Sequence, residues 1–251
     1  MRVIAKTDCG KHRKINEDYV ACQIVEDMVI LLLADGMGGH NGGEVASKTA
    51  VDTVRCYLNE HLKKEMLPVQ IFECIRTAIS NANVKLLDMA SKNKALQGMG
   101  TTLEVCVVNF KNAYIAHVGD SRVYKIGGKD KITQVTRDHS LVEEMVLAGT
   151  ITREEARNHP QRNIITRAVG TRPYVEPDTY VTSFSENEVM VLCSDGLSNM
   201  VTDEEIYSII KSADNPETAA EKLIESANYA GGIDNISVIV LDNCKDELEE
   251  A

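Results

Sequence analysis

The sequence predicts an α+β fold, mainly antiparallel sheet with helices packed outside it. Three observations lead there. Apolar runs of strand length recur along the chain. Several are joined by only a few residues, and such short links allow only antiparallel neighbours, because a parallel return needs a crossover of about a dozen residues or more. Two other stretches carry apolar residues at helical spacing.

In chain order, strands are expected at Val3–Thr7, Tyr19–Ile24 and Met28–Ala34, the last leading into a glycine-rich turn. Val45, Ala46, Ala50, Val54 and Leu58 then mark one helix, and Ile71, Ile75, Ile79, Ala82, Leu86 and Met89 a second. Thr102–Asn109, Ala113–Val118 and Arg122–Ile126 read as consecutive antiparallel strands. Residues 138–168 look different. They hold two short helical patterns, a capping box at Thr152 and Glu155, and many charges, and so read as a helical flap. Val189–Cys193 and Ile236–Leu241 are further buried strands. Between them, Thr202 with Glu205 forms a second capping box, and Asn215 before Pro216 reads as a helix cap with a first-turn proline.

With 251 residues, 43% of them hydrophobic, the chain can bury a substantial core. Its five prolines include no linker, so 1–251 is expected to be a single domain with the flap at 138–168. A net charge of −11 disfavours nucleic acid and anionic membrane as partners. The seven cysteines are odd in number, without a Cys-x-x-Cys pair, and suit a reducing cytoplasm. The N-terminal residues lack a signal-peptide run, and the longest apolar run, Met28–Ala34, is too short to insert in a membrane. The KDEL at 245–248 is followed by three more residues and is not a C-terminal retention signal.

Four aspartates stand at the ends of apolar strands, each beside a glycine or asparagine or following one: Asp35, Asp120, Asp195 and Asp234. Any one alone is explained by a turn or a helix cap. Together, oxygen-only side chains at a loop rim suit hard divalent cations. The glycines at 38, 39, 42 and 43 do not form a nucleotide P-loop, since no Gly-x4-Gly-Lys-Ser/Thr is present. No cysteine is followed by arginine six positions on, which removes the cysteine-nucleophile phosphatase loop, and the histidines lack helical zinc spacing.

The segments TDCGKHRKINED, ADGMGGHNGGE, GMGTT, HVGDSRVY, RDHSLVEEMVLAGTITREEARNHPQRNIITRAVG, CSDGLSNMV and GGIDNISVIV occur in this order between residues 7 and 241. Together they resemble the metal-dependent protein phosphatases of type 2C, in their compact bacterial form. The resemblance implies a four-layer α-β-β-α sandwich of two antiparallel sheets flanked by helices. It also implies two tightly bound Mn2+ or Mg2+ ions and a third, weaker one. By motif, Asp35 resembles the carboxylate that bridges both ions, and the Gly36 carbonyl completes one of them. Asp195 and Asp234 resemble ligands of the other, while Glu17 and Asp18 reach metal-bound water. Asp120 with Asp195 resembles the third-ion site, and the flap is similar to a substrate-selecting element beside it. Arg13 resembles the phosphate-binding arginine, and its planar fork matches phosphate oxygens. His40 resembles the general acid for the leaving alkoxide. Without the motif, Arg13 reads as a surface arginine and His40 as an ordinary histidine after a turn.

The expected activity is hydrolysis of phosphoserine and phosphothreonine in proteins by a metal-bridged water, with no phosphoenzyme. Phosphate monoester hydrolysis needs accelerations approaching ~10^21-fold, whereas one general acid or base supplies only about 10^2 to 10^4. Paired cations can cover that gap. The implied partners are a membrane-anchored bacterial Ser/Thr kinase and its phosphorylated substrates, met by a monomeric cytoplasmic enzyme. Two rival readings are a silent regulatory module on the same fold, which predicts a missing metal carboxylate, and a phosphatase of small metabolites.

Overall fold

The computed structural model describes residues 1–38, 42–109, 111–127 and 132–243. One sheet has five strands, in the order β1 (Arg2–Asp8), β11 (Ile236–Asp242), β10 (Val189–Cys193), β7 (Arg122–Ile126) and β8 (Ile132–Gln134). The other has six. Its path runs β2 (Asp18–Val25), β3 (Met28–Met37), β5 (Leu103–Val108), β6 (Asn112–Val118) and β9 (Asp178–Ser183), and the short β4 (Gly100–Thr101) pairs with the end of β3. Every pairing is antiparallel.

Three apolar clusters separate four layers. The first lies between the six-stranded sheet and helices α1 (Gly42–His61) and α2 (Pro68–Lys92). The second lies between the five-stranded sheet and α5 (Asp195–Ser198), α6 (Asp203–Ser212) and α7 (Pro216–Tyr229). The third fills the space between the sheets. Strand β3 shows why the sequence reads as an unbroken apolar run. Ile30, Leu32 and Ala34 enter the helix-side cluster, and Val29, Leu31 and Leu33 the inter-sheet one. A strand covered on both faces needs no polar alternation. Truncating Leu31 or Leu33 to alanine there costs about 2–5 kcal/mol.

The helical segment between residues 138 and 168 is present, with α3 (Leu141–Leu147) and α4 (Arg153–Arg157). Thr152 accepts from the Glu155 N–H at 3.2 Å, and Glu155 accepts from the Thr152 N–H at 2.7 Å, which completes the expected capping box. Thr202 with Glu205 forms the expected capping box on α6, and Asn215 Oδ1 caps α7 by accepting from the Thr218 N–H at 2.9 Å.

One expectation is corrected. Arg122–Ile126 does not pair with Ala113–Val118, although few residues separate them: β6 bonds to β5 and β9, whereas β7 lies in the other sheet. The link crosses the sandwich at Gly119, whose φ of 123° turns the chain out of the first sheet. A short connection rules out a parallel return within one sheet but does not oblige two strands to pair.

Candidate active site

Strand register brings the predicted carboxylates to one end of the sandwich. In the six-stranded sheet Asp18 lies directly opposite Asp35. In the five-stranded sheet Cys193 is flanked by Arg122 on one side and Val238 on the other. Asp195 therefore leaves β10 at the same end where Asp120 precedes β7 and Asp234 precedes β11.

The backbone around Asp35 is pinned. Its N–H donates to Thr102 Oγ1 at 2.9 Å, and its carbonyl accepts from Thr102 N–H and Thr101 Oγ1 at 2.9 and 2.8 Å. Thr102 Oγ1 also bonds Ser121 Oγ at 2.9 Å. Gly36 donates to the Glu17 carbonyl at 3.0 Å, and a Cβ there would sit 2.1 Å from the Gly43 carbonyl oxygen. Only glycine fits where β3, the Glu17 segment and α1 converge.

On the opposite side, Asp234 Oδ1 accepts from the Asn235 N–H at 2.8 Å and Oδ2 from Arg13 Nη2 at 2.9 Å. Arg13 Nη1 also stands 3.9 Å from Glu17. Asn199 Nδ2 donates to Asp195 at 3.0 Å, and Ser194 Oγ donates to Asp18 Oδ2 at 2.8 Å. Asn235 ties down the segment carrying Arg13 and Glu17: its Nδ2 donates to the Cys9 and Ile15 carbonyls, both at 3.0 Å, and its Oδ1 accepts from the Glu17 N–H at 2.8 Å. Sequence reasoning assigned no role to Asn235 or Ser194, although both lie inside quoted motifs. His40 falls outside the described residues.

Electrostatics shows that the carboxylates feel one another. Burial raises the Asp35 pKa well above the usual range, and Asp18, Asp195, Asp120 and Asp234 raise it further. Asp18 is pushed to about 7 by burial, partly offset by hydrogen bonds from Ser237 and Ser194. Asp195 is pushed to about 6 by burial and by Asp234, offset by a hydrogen bond shared with Asp35. Asp120 rises through burial, then Asp195 and Asp138. Burial also lifts Glu17, against the pull of Arg13. For Arg13 burial acts downward, but Asp234, Glu17 and Asp35 leave its pKa raised.

The donor set fits divalent cations. Asp18 and Asp35 are like charges facing each other across a strand pair, an arrangement that destabilises a sheet unless something neutralises it. Asp18 Oδ1 and Glu17 Oε1 are buried without a hydrogen-bond partner among the described residues, which is costly for carboxylate oxygens. All the donors are hard oxygens. Among the described residues no three such side chains already stand in the geometry of a bound ion, so the carboxylates share a field without closing a cage. Beside them, a cavity of about 620 Å3 runs from Asp120 and Asp195 to Arg153, Arg157 and Arg162 of the helical segment.

Comparison with known proteins agrees. The family model described as protein phosphatase 2C matches residues 7–225. A serine/threonine phosphatase, stp, of Listeria monocytogenes is 38% identical over 239 residues, which is 94% of each chain. The crystal structure of the serine/threonine phosphatase Stp1 from Staphylococcus aureus superposes with a TM-score of 0.88 at 37% identity, covering 95% of this chain and 93% of that one. The catalytic domain of the phosphatase PstP, solved in complex with two manganese ions, gives 0.84 at 34% identity, covering 97% and 98%. Fold and site together define a protein-serine/threonine phosphatase. The chain belongs to the protein phosphatase 2C family.

Proposed function

We propose that this phosphatase hydrolyses phosphoserine and phosphothreonine in proteins by direct attack of water, without a phosphoenzyme, at a centre that holds two Mn2+ or Mg2+ ions tightly and a third more weakly. Asp35, the Gly36 carbonyl, Asp195 and Asp234 would hold the tight pair, and Glu17 and Asp18 would orient water around it. Asp120 with Asp195 would hold the third. When bound, such ions supply Lewis acidity and an activated water. The observation that carries this reading is the Asp18–Asp35 pair, facing in register with Asp18 Oδ1 buried and unpartnered.

Arg13 binds the phosphate. In the structure its guanidinium bonds Asp234, and it is half exposed, so it can exchange that contact for phosphate oxygens. His40 protonates the leaving alkoxide, which departs poorly without a proton. The whole chain acts as one catalytic domain, with 138–168 as a flap that selects substrates. A Ser/Thr kinase and that kinase's substrates are the proposed partners of a monomeric enzyme. No described helix is long and apolar enough to cross a membrane. The six described cysteines are all free, which supports a cytoplasmic setting.

The test is hydrolysis of a phosphothreonine peptide with Mn2+, then with excess EDTA, beside Asp195→Ala. Turnover should require metal. In the variant it should fall by more than the roughly 10–100-fold that loss of an outer metal partner costs. Peptide turnover that survives EDTA, or an undiminished variant, would sink the reading.

A further inference from the structure

A second group of buried ionisable side chains lies just outside this centre, and the proposed chemistry gives it no task. Glu104 on β5 and His117 on β6 face each other in register, and both are fully buried. His117 Nδ1 stands 2.5 Å from Glu104 Oε1, and Nε2 stands 2.8 Å from the Arg137 carbonyl. The His139 ring packs on His117 with centroids 4.4 Å apart.

His139 grips one neighbour from both sides. Its Nδ1 accepts the Gly119 N–H at 3.0 Å, and its backbone N–H donates to the Gly119 carbonyl at 2.7 Å. Its own carbonyl accepts from Thr166 N–H at 2.7 Å, so the same residue closes the root of the helical segment. An accepting Nδ1 requires the neutral ring with its proton on Nε2. Burial, and next His117, hold the ring neutral by lowering its pKa to about 4. Nε2 lies 3.2 Å from Asp178 Oδ2. Only glycine fits at position 119. Its φ is 123°, and a Cβ would meet Thr102 Cβ at 2.5 Å. The next residue is Asp120.

We infer that His139 is a positioning residue for Asp120. It fixes both polar groups of Gly119 and so aims the Asp120 carboxylate at the weaker cation site, while the Glu104–His117 pair holds the imidazole in place. This rests on the proposed role of Asp120 as a cation ligand. An outer partner that orients a ligand in this way is usually worth about 10–100-fold in metal affinity.

Two substitutions separate hydrogen-bond acceptance from packing. His139→Leu keeps bulk and removes the acceptor. His139→Asn keeps an oxygen near the place of Nδ1. Full-length protein carrying the tight Mn2+ pair is titrated with further Mn2+, with free Mn2+ read by electron paramagnetic resonance. The additional ion should bind about 10-fold or more weakly in His139→Leu and recover most of its affinity in His139→Asn. The tight pair should stay bound in both, and Asp120→Ala should lose only the additional ion. Independently of metal, a coupling between the nitrogens of Gly119 and His139 Nδ1 across their hydrogen bond should appear in nitrogen-15 spectra of the parent and vanish in His139→Leu. Parent-like binding in His139→Leu with Asp120→Ala impaired overturns the positioning role. Parent-like binding in Asp120→Ala overturns the cation reading beneath it, and the inference falls with it. Loss of the tight pair in both His139 variants shows a packing residue and also overturns it.

Discussion

At one end of the sandwich, Asp18, Asp35, Asp120 and Asp195 share a strongly acidic field with the half-exposed Arg13 on its rim. On the neighbouring strands β5 and β6, Glu104 is buried against His117, with the His139 ring packed at a tilt against His117. Both groups are buried and ionisable, yet they resolve charge in opposite ways. The histidine group supplies its own counter-charge: Glu104 is raised to about 7 by burial, and His117 pulls it back down. In the aspartate group the counter-charge is partial: Arg13 and Arg122 pull Asp195 down, but the main neighbours of Asp35 are all carboxylates that raise it. A buried cluster that balances internally holds the fold in register. A cluster that does not balance fits the proposed cation centre.

Removing one carboxylate from each group sets the comparison at its sharpest. Glu104→Ala leaves His117 buried without its acid and should cost about 3–5 kcal/mol, read as a lower urea midpoint whether or not Mn2+ is present. A cost that vanished in excess Mn2+ would break the distinction.

The next effect is in pH. Asp18 and Asp195 in the metal-free fold have pKa values of about 7 and about 6, raised from 3.8. The folded chain then holds protons that the unfolded chain releases. The stability these two groups contribute is therefore full below about pH 4 and is lost as pH rises through 6 to 7. Thermal unfolding of metal-free protein should show that fall. Mn2+ should remove the aspartate part, leaving the fall from Glu104 and His117, whose pKa values are also raised, against the opposing rise from His139, whose pKa is lowered to about 4. A pH profile unchanged by metal would contradict the contrast.

The smallest effect has the opposite sign to the first. Asp35→Asn relieves the charge facing Asp18, a repulsion of about 0.2–1 kcal/mol. In metal-free protein at pH 8 it should raise the melting temperature, by at most roughly 2–4 °C for a chain of this size. A lower melting temperature would mean that Asp35 supports the fold rather than strains it.

Much of this was legible in the sequence because it is local. The apolar runs of β3, β10 and β11, the Thr152 and Thr202 capping boxes, and the four strand-end aspartates all depend on neighbours within a few positions. What stayed hidden depends on distance along the chain. Ser194 meets Asp18 across 176 residues, and Asn235 meets Glu17 across 218. His139 stood in plain view within RDHS, but nothing local ties it to Gly119. Strand β9 escaped notice because DTYVTS sits at a sheet edge, half exposed and partly polar. The jump from β6 to β7 was misread because loop length constrains direction and not sheet membership.

The pairing of β1 with β11 has a bearing on how the enzyme is made. Thr7 and Ser237 bond across 230 residues, and Asp234 lies just before that last strand. A ribosome must deliver about 230 further residues before β1 finds its partner. Such non-local pairing is slow to form. The growing chain can assemble the Asp18–Asp35 half of its centre early, but not the Asp234 half. On the proposed assignment, Asp234 therefore joins the centre only once β11 is made, and a product cut short before it would carry the aspartate pair alone.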